Sequence, residues 1–431
     1  MLAEGRRRGQ PDLEAGESAV RGSMHSMGAV LLEKLLNADG GGHLGASIPC
    51  GRGHEAFFAG YREKGLQTVL GAIQVKRAYY HCGCCGSGMV PKDRGLDIEG
   101  TRFSPGVRRM IGRVGAKEAF EEGRADLEEL AGVQVTAKAV ERVSEGLGEQ
   151  VEALGIEERE SAMSGRVLAF APPVPVLYVA VDGTGVPVLP GEAKGRAGKS
   201  GEGPAKTREA KLGCVFTQTR IDEQGFPERD PDSTSCVGAI EVAENCGRRI
   251  YAEAVRRGCR QAKKVVVLGD GAPWIWALAE EHFSGAVQII DLYHVRERLW
   301  KVAELAFGKD TPKAKRWAGV QRRKLDKGRV EGLIACIGRL PADSDKVREE
   351  LTTAAEYFRK NAHRMRYADF RAQGLFVGSG VMEAGCKIVV GQRLKRSGMR
   401  WTVRGANSII ALRCCQLSNR WEEFWEERIP A

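Results

Sequence analysis

Apolar and polar residues change their spacing several times along this chain, and each change marks a different kind of element. Residues 1 to about 45 are polar and glycine-rich. One apolar stretch there, Met27 to Leu36 (MGAVLLEKLL), has helical spacing and stops before Asn37 and Gly40–Gly42. The start of the chain reads as mobile. Thr68 to Tyr80 (TVLGAIQVKRAYY) alternates and is β-branched, which predicts a strand hairpin running into HCGCCGSG. Residues 105 to 152 turn helical. One helix starts at Pro105, a second spans Lys117 to Leu130, and a third is capped by Thr136, with Val135, Ala139, Val140 and Val143 on one face.

From 174 strands and helices alternate. Val174 to Val181 is a fully apolar strand and Lys211 to Thr219 another. Ile240 to Arg257 reads as a helix, Lys264 to Leu268 as a strand, Trp274 to His282 as a helix and Ala286 to Ile290 as a strand. This is an α/β layout with apolar central strands. Residues 292 to about 372 carry only helical patterns, and 379 to 428 return to one or two strongly basic helices. The resulting divisions are 1–45, 46–100, 101–155, 174–291, 292–372 and 373–428, with no internal repeat.

Composition narrows the class. The 431 residues include 42% hydrophobic and 28% charged, a globular balance. No apolar run approaches a membrane span, so no membrane partner is expected. The charged start lacks an apolar h-region, which argues against a secretory signal and for a cytoplasmic protein. Lys plus Arg is 66 against 56 acids, a net charge of +10, which permits a polyanionic partner. Twelve cysteines without a signal peptide do not suggest a disulfide framework. Cys84, Cys214, Cys236, Cys246, Cys259, Cys336, Cys386, Cys414 and Cys415 read as small buried hydrophobes.

Three acids stand out by position. Asp182 follows the apolar strand that begins at Val174 and precedes Gly183. Asp270 follows VVVLG and precedes Gly271. Loops at strand ends form the crevice of an open α/β sheet, and an acid beside a glycine there suits a metal ligand. Asp-Gly is also ordinary turn chemistry. Glu383 lies in the apolar stretch VMEAGCKIVV and is the only acid between Asp369 and Glu422. A carboxylate on the buried face of a helix needs a metal or an ion pair, for which Lys387 stands four residues on. Around it lie Arg393, Lys395, Arg396, Arg400 and Arg404. Three carboxylates beside dense basic charge fit two-metal phosphoryl transfer on nucleic acid. In that chemistry two ions about 3.5–4 Å apart stabilise the attacking and leaving oxygens, and lysines and arginines hold the backbone phosphates.

The stretches AVDGTGVP, VVVLGDGAPWIWALAEEHF, IIDLYHVRERLW and GSGVMEAGCKIVVGQRLKRSGMRW together resemble the DDE transposases of bacterial insertion sequences, close to the Kra-type group. The resemblance covers roughly residues 45 to 425. It implies a ribonuclease-H-like core, a mixed sheet flanked by helices, with residues 292–372 as an all-α insertion. It implies Asp182, Asp270 and Glu383 as the catalytic triad holding Mg²⁺ or Mn²⁺. Asp291 and His294 would support them by orienting a carboxylate or the scissile phosphate. The alternative for that pair is an N-cap Asp and a packed histidine. DNA contacts would come from Lys387, Arg393, Lys395, Arg396, Arg400 and Trp401. Trp401 would stack on an unpaired base; for it, as for Trp276, core packing is the alternative.

Cys50 and His54 form a CxxxH pair and Cys82 and Cys85 a CxxC. Thiolates and an imidazole in two such pairs can build a tetrahedral zinc site, with His81 or Cys84 as substitutes. The alternative is reduced cysteines without metal. By the resemblance, residues 46–100 would be a zinc-ribbon-like element and 101–155 a helix-turn-helix-like DNA-binding domain, with Ala131–Gly132–Val133 as the turn. Acids equal bases in that segment, so a plain helical linker also fits. The GKS within Gly191–Lys211 is not a phosphate-binding loop, because the required earlier glycine is Ala193; a mobile loop touching DNA phosphates is expected instead.

The expected activity is therefore metal-dependent strand cleavage and strand transfer at insertion-sequence ends. The protein would act as a dimer or larger assembly on double-stranded DNA, terminal inverted repeats and target, at the bacterial nucleoid. The competing readings are a zinc-containing DNA-binding protein without catalysis and a structure-specific nuclease on the same fold.

Overall fold

The structure, a computed structural model, describes residues 6–7, 10–166, 172–198 and 203–428. Of the basic loop, residues 199–202 lie outside the described ones, and with them the Lys and Ser of GKS. The chain divides into two compact units, Met1–Leu147 with Glu426–Ala431, and Gly148–Trp425.

In the first unit, helix α1 spans Leu13–Asn37, far longer than the apolar stretch that announces it. Asp12 caps it, accepting the Ala15 amide at 3.2 Å. Only Ala29 is fully buried on it. Val20, Met24, Met27 and Leu31 stay exposed, so amphipathic spacing does not reach them. A four-stranded antiparallel sheet follows, β1 (Ser47–Pro49), β2 (Glu55–Thr68), β3 (Gly71–His81) and β4 (Gly88–Met89), in that spatial order. The segment Thr68–Tyr80 is thus not a hairpin by itself. It is the turn and second arm of one. The first arm, EAFFAGYREKGLQT, is masked in sequence by its polar solvent face.

After a short helical turn at Pro91–Gly95 come three longer helices, α2 (Pro105–Lys117), α3 (Phe120–Ala131) and α4 (Ala137–Met163), the last of which belongs to this unit only as far as Leu147. Ser104 caps α2 with Pro105 at its first position. Gly132 sits at φ +67°, the left-handed stop that ends α3. Val107, Ile111, Leu127, Val133 and Val140 form their shared core. The third helix does not end near 152 but continues to Met163, past the expected boundary at 155.

The second unit holds a five-stranded sheet: β5 (Val176–Pro187), β6 (Thr207–Gln218), β7 (Ser235–Ala239), β8 (Lys264–Gly269) and β9 (Val287–Ile290). Its order is β7-β6-β5-β8-β9. The β5–β6 and β6–β7 pairs are antiparallel, while β5–β8 and β8–β9 are parallel. Leu177 to Val181 and Val266 to Leu268 are at most 1% exposed, as central strands covered on both faces should be. Tyr178 stacks on its cross-strand partner Phe216 with ring centroids 4.7 Å apart. Helices α5 (Ala243–Arg256) and α6 (Pro273–His282) connect the later strands, giving a mixed α/β unit with helices flanking a mixed sheet.

After β9 come only helices as far as residue 372: α7 (Leu292–Phe307), α8 (Pro312–Asp326), α9 (Val330–Ile337) and α10 (Asp345–Lys360), then a 3-10 turn, Ala362–Met365, and a short helix, Tyr367–Ala372. The chain then returns as α11 (Gly380–Gly385), which widens into a π-helical stretch, Cys386–Gly391, and closes at Gln392–Leu394. Two helices follow, α12 (Val403–Leu417) and α13 (Trp421–Glu427). At Gly148, on α4, a Cβ would collide with the Ser408 carbonyl of α12. Gly148→Ala should therefore cost about 1–3 kcal/mol, the range for overpacking, read as a lowered urea midpoint with an unchanged slope.

Candidate functional site

Register alone brings two of the three acids together. Val181 of β5 pairs with Gly269 of β8 in a parallel ladder. The next residue on each chain is an aspartate, so Asp182 and Asp270 emerge side by side on neighbouring strands, which lie about 4.8 Å apart. Asp182 is not at a strand end, as its Asp-Gly sequence suggested. It pairs with Leu212 in the middle of a strand that continues to Pro187. Apolarity stops there because residues 182–185 are only half-buried, not because β5 turns. Asp270 does turn the chain. Its Oδ1 accepts the Ala272 amide at 2.9 Å, and Gly271 follows at φ +97°. One residue thus serves both as turn former and as half-buried acid.

The Asp182 carboxyl titrates above the usual carboxylate range. Burial is the main cause, with the Asp270 charge adding to it. The Gly183 amide, Cys386 and His294 act in the opposite direction. The Gly183 amide donates to Asp182 Oδ1 at 2.7 Å. Two neighbouring carboxyls, one of them desolvated, are an arrangement that a divalent cation relieves.

Helix α11 packs on β5 and β6 and brings a third group. The Cys386 thiol lies 3.6 Å from Asp182 Oδ2. Gly385 makes this approach possible, since a Cβ there would stand 2.5 Å from Cys214 Sγ on β6. Glu383 is one turn before Cys386 and is exposed, not buried as its apolar surroundings implied. The widened turn Cys386–Gly391 changes which side chains face the core, and π-helical turns recur at functional sites. Cys386, read in sequence as a plain buried hydrophobe, is only half-buried and was missed as a neighbour of the acids. Its three-residue offset from Glu383 was the available signal.

The basic run is split by burial. The Lys395 ammonium reaches Thr184 Oγ1 at 2.5 Å, and Thr184 shares a strand face with Asp182. Lys387 and Arg400 are exposed and Arg396 half-buried. Arg393 and Trp401, expected on DNA, are not surface groups. Arg393 is 0% exposed and Trp401 7%. The guanidinium lies 5.1 Å from the Trp401 ring centroid and its Nη1 reaches Met399 Sδ at 3.6 Å. The indole donates to the Leu394 carbonyl at 3.1 Å. A cation–π contact holds the guanidinium against the indole, and the Leu394 carbonyl takes the indole N–H.

Asp291 is buried and caps α7. Its Oδ1 accepts the His294 amide at 2.7 Å and its Oδ2 accepts the Ser379 amide. Its own amide donates to the Gly269 carbonyl at 2.8 Å. Asp291 therefore positions the chain next to Asp270, and the half-buried His294 influences Asp182 by charge.

A second cluster lies in the first unit. The ligand atoms of Cys50, His54, Cys82 and Cys85 all stand within 4.8 Å of one another. Among the described residues no other group of three or more such side chains closes so far. The acids Asp182, Asp270 and Glu383 thus do not form a single-ion shell of that kind, and carboxylates flanking two ions need not. The Cys85 thiol is pulled down to about 6, chiefly by the Ser87 hydroxyl at 3.1 Å and the Ser87 amide. His81 and Cys84, the substitutes considered from sequence, are exposed and outside the cluster.

Comparison with known proteins adds the following. The profile described as "Uncharacterised protein family (UPF0236)" matches residues 252–428, which include Asp270, Asp291, His294 and Glu383. The chain is 22% identical over 353 residues to the "UPF0236 protein in vanSb 3'region" of Streptococcus gallolyticus, covering 79% of this chain and 70% of that one. It is 23% identical over 366 residues to a UPF0236 protein of Caldanaerobacter subterraneus subsp. tengcongensis, covering 81% and 67%. The name of that second protein joins eleven locus designations. Among the described residues no helix is long and apolar enough to cross a membrane.

Proposed function

We propose that this chain is a DDE-type transposase, cleaving DNA strands at the ends of an insertion sequence and joining them to target DNA. The observation that carries the reading is the pairing of Val181 with Gly269, which sets Asp182 beside Asp270 on adjacent parallel strands. The sheet supports it further: three antiparallel strands followed by two parallel ones, flanked by helices, make the kind of mixed sheet expected of a ribonuclease-H-like core. The helical insertion before α11 and the approach of Cys386 to Asp182 fit Glu383 as the third acid. A relative whose single name joins eleven locus designations also fits, because a mobile element leaves several copies of its gene in one genome.

On this reading Asp182, Asp270 and Glu383 would hold Mg²⁺ or Mn²⁺, which supplies charge stabilisation to the attacking and leaving oxygens of an in-line displacement. The chain's own residues do the rest. Lys395, held at Thr184, sets positive charge beside Asp182 where a backbone phosphate would lie. Lys387 and Arg400 extend that charge along the exposed segment. Asp291 fixes the loop carrying Asp270, and no protein nucleophile is required.

The test is a strand-transfer assay. The full chain, Mg²⁺ and a labelled duplex carrying the sequences that flank its gene should yield a free 3′-hydroxyl and then joined product in a supercoiled plasmid. Cleavage without joining would favour a structure-specific nuclease. Binding without either would favour a DNA-binding protein that lacks catalysis.

A further inference from the structure

Two loops of the first unit take no part in that chemistry. One, Cys50 to His54, links β1 to β2; the other, Cys82 to Ser87, links β3 to β4. Pro49 pairs with Glu55, Phe57 with His81 and His81 with Gly88, so both loops leave the same end of the sheet. Each is closed by its own backbone. The Cys50 amide donates to the His54 carbonyl at 2.8 Å. The Cys82 amide donates to the Ser87 carbonyl, and the Gly86 amide to the Cys82 carbonyl, both at 2.9 Å. Gly86 makes the second turn possible at φ +67°.

The four side chains then point to one place. All their ligand atoms lie within 4.8 Å of one another, and the Cys85 and Cys50 sulfurs are 4.0 Å apart. A tetrahedral zinc with Zn–S of about 2.3 Å and Zn–N of about 2.0–2.1 Å needs ligand–ligand edges of about 3.5–3.8 Å. The cluster is close to that before any ion draws it in. A disulfide would use two sulfurs and leave the third and the imidazole without purpose. The core beneath is small: Ile48, Ala56, Ala78 and Tyr80 with the two buried cysteines. Such a core is what a metal commonly reinforces.

We propose that Cys50, His54, Cys82 and Cys85 bind one structural Zn²⁺ that ties the two loops together. All four positions come from the protein, so the site is closed and has no place for a substrate. Binding releases the thiol protons to solvent, leaving three thiolates and a neutral imidazole on the metal. The proposal is independent of the acid site.

The experiment uses the purified full chain. Metal analysis should find one zinc per chain, retained by Cys84→Ser and by an Asp182→Asn/Asp270→Asn double variant. Cys82→Ser should lose it. Co²⁺ in its place should give thiolate charge-transfer absorption and the visible bands of a tetrahedral ion. His54→Cys keeps four ligands, so it should retain the metal and strengthen the charge-transfer band. A chain that melts at the same temperature with and without chelator, holding no stoichiometric zinc, would overturn the proposal. So would full zinc retention in Cys82→Ser, or an unchanged cobalt spectrum in His54→Cys.

Discussion

Replacing Asp270 with asparagine is expected to lower metal-dependent DNA cleavage at least about a hundredfold, the low end for deleting one electrostatic stabiliser from a preorganised site. The substitution is chosen so that little else changes. An asparagine oxygen still accepts the Ala272 amide, so the turn after β8 persists. Side-chain volume is nearly conserved, and the neighbouring Asp182 loses a like charge rather than a partner. Circular dichroism and duplex binding should therefore match the parent while a cleavage gel goes blank. Undiminished cleavage would remove Asp270 from the site, and with it the assignment of function.

The second large effect concerns stability. Arg249 on α5 is the hub of an ion cluster of the second unit. It donates to Glu152 at 2.7 and 3.0 Å and to Glu241 at 2.8 and 3.0 Å, with its side chain only 11% exposed. Arg249→Met removes the cation, taking from Glu241 its guanidinium partner and leaving Glu152 with Arg159 alone. Breaking a buried pair in this way costs about 3–5 kcal/mol; the lower end applies, because a third of Glu152 is solvated. Denaturant unfolding would measure it.

The pH dependence follows from the same cluster. Burial alone would raise the Glu152 carboxyl, but the hydrogen bonds and charge of Arg249, then Arg159, hold it below its ordinary 4.5. A depressed folded value stabilises the native state above the unfolded pKa. That contribution fades as pH falls through the folded one. Parent stability should thus decline on acidification below about 4.5, with a steepness that Arg249→Met lacks.

Legibility in the sequence followed burial symmetry. Strands β5, β8 and β9 are buried on both faces, so their apolar runs announced them within two residues at the start. The end of β5 was missed, because Asp182, Gly183, Thr184 and Gly185 continue a strand whose surroundings have changed. Strand β7, Ser235–Ala239, gave no signal at all: SCVGA is short and built of small residues that serve either state. The Cys50, His54, Cys82, Cys85 set was readable because metal-ligand spacing is local to each loop. Arg393 and Trp401 were misplaced for the opposite reason. Charge density along a chain says nothing about which side of a helix faces inward, and a π-helical turn shifts that side again. Cys386 became visible as a neighbour of Asp182 only when two distant segments met.

Asp291 has a consequence beyond its place near the acids. One carboxylate caps the first turn of α7 and holds the Ser379 amide, while the Leu292 amide donates to the Val377 carbonyl at 2.9 Å. The whole helical excursion therefore departs and re-enters through a single doorway pinned by one side chain. Lengthening a segment between two fixed ends costs its host only about 0.6 kcal/mol of closure entropy for each doubling. The appendage can therefore be lengthened or trimmed at small cost to the sheet beneath it.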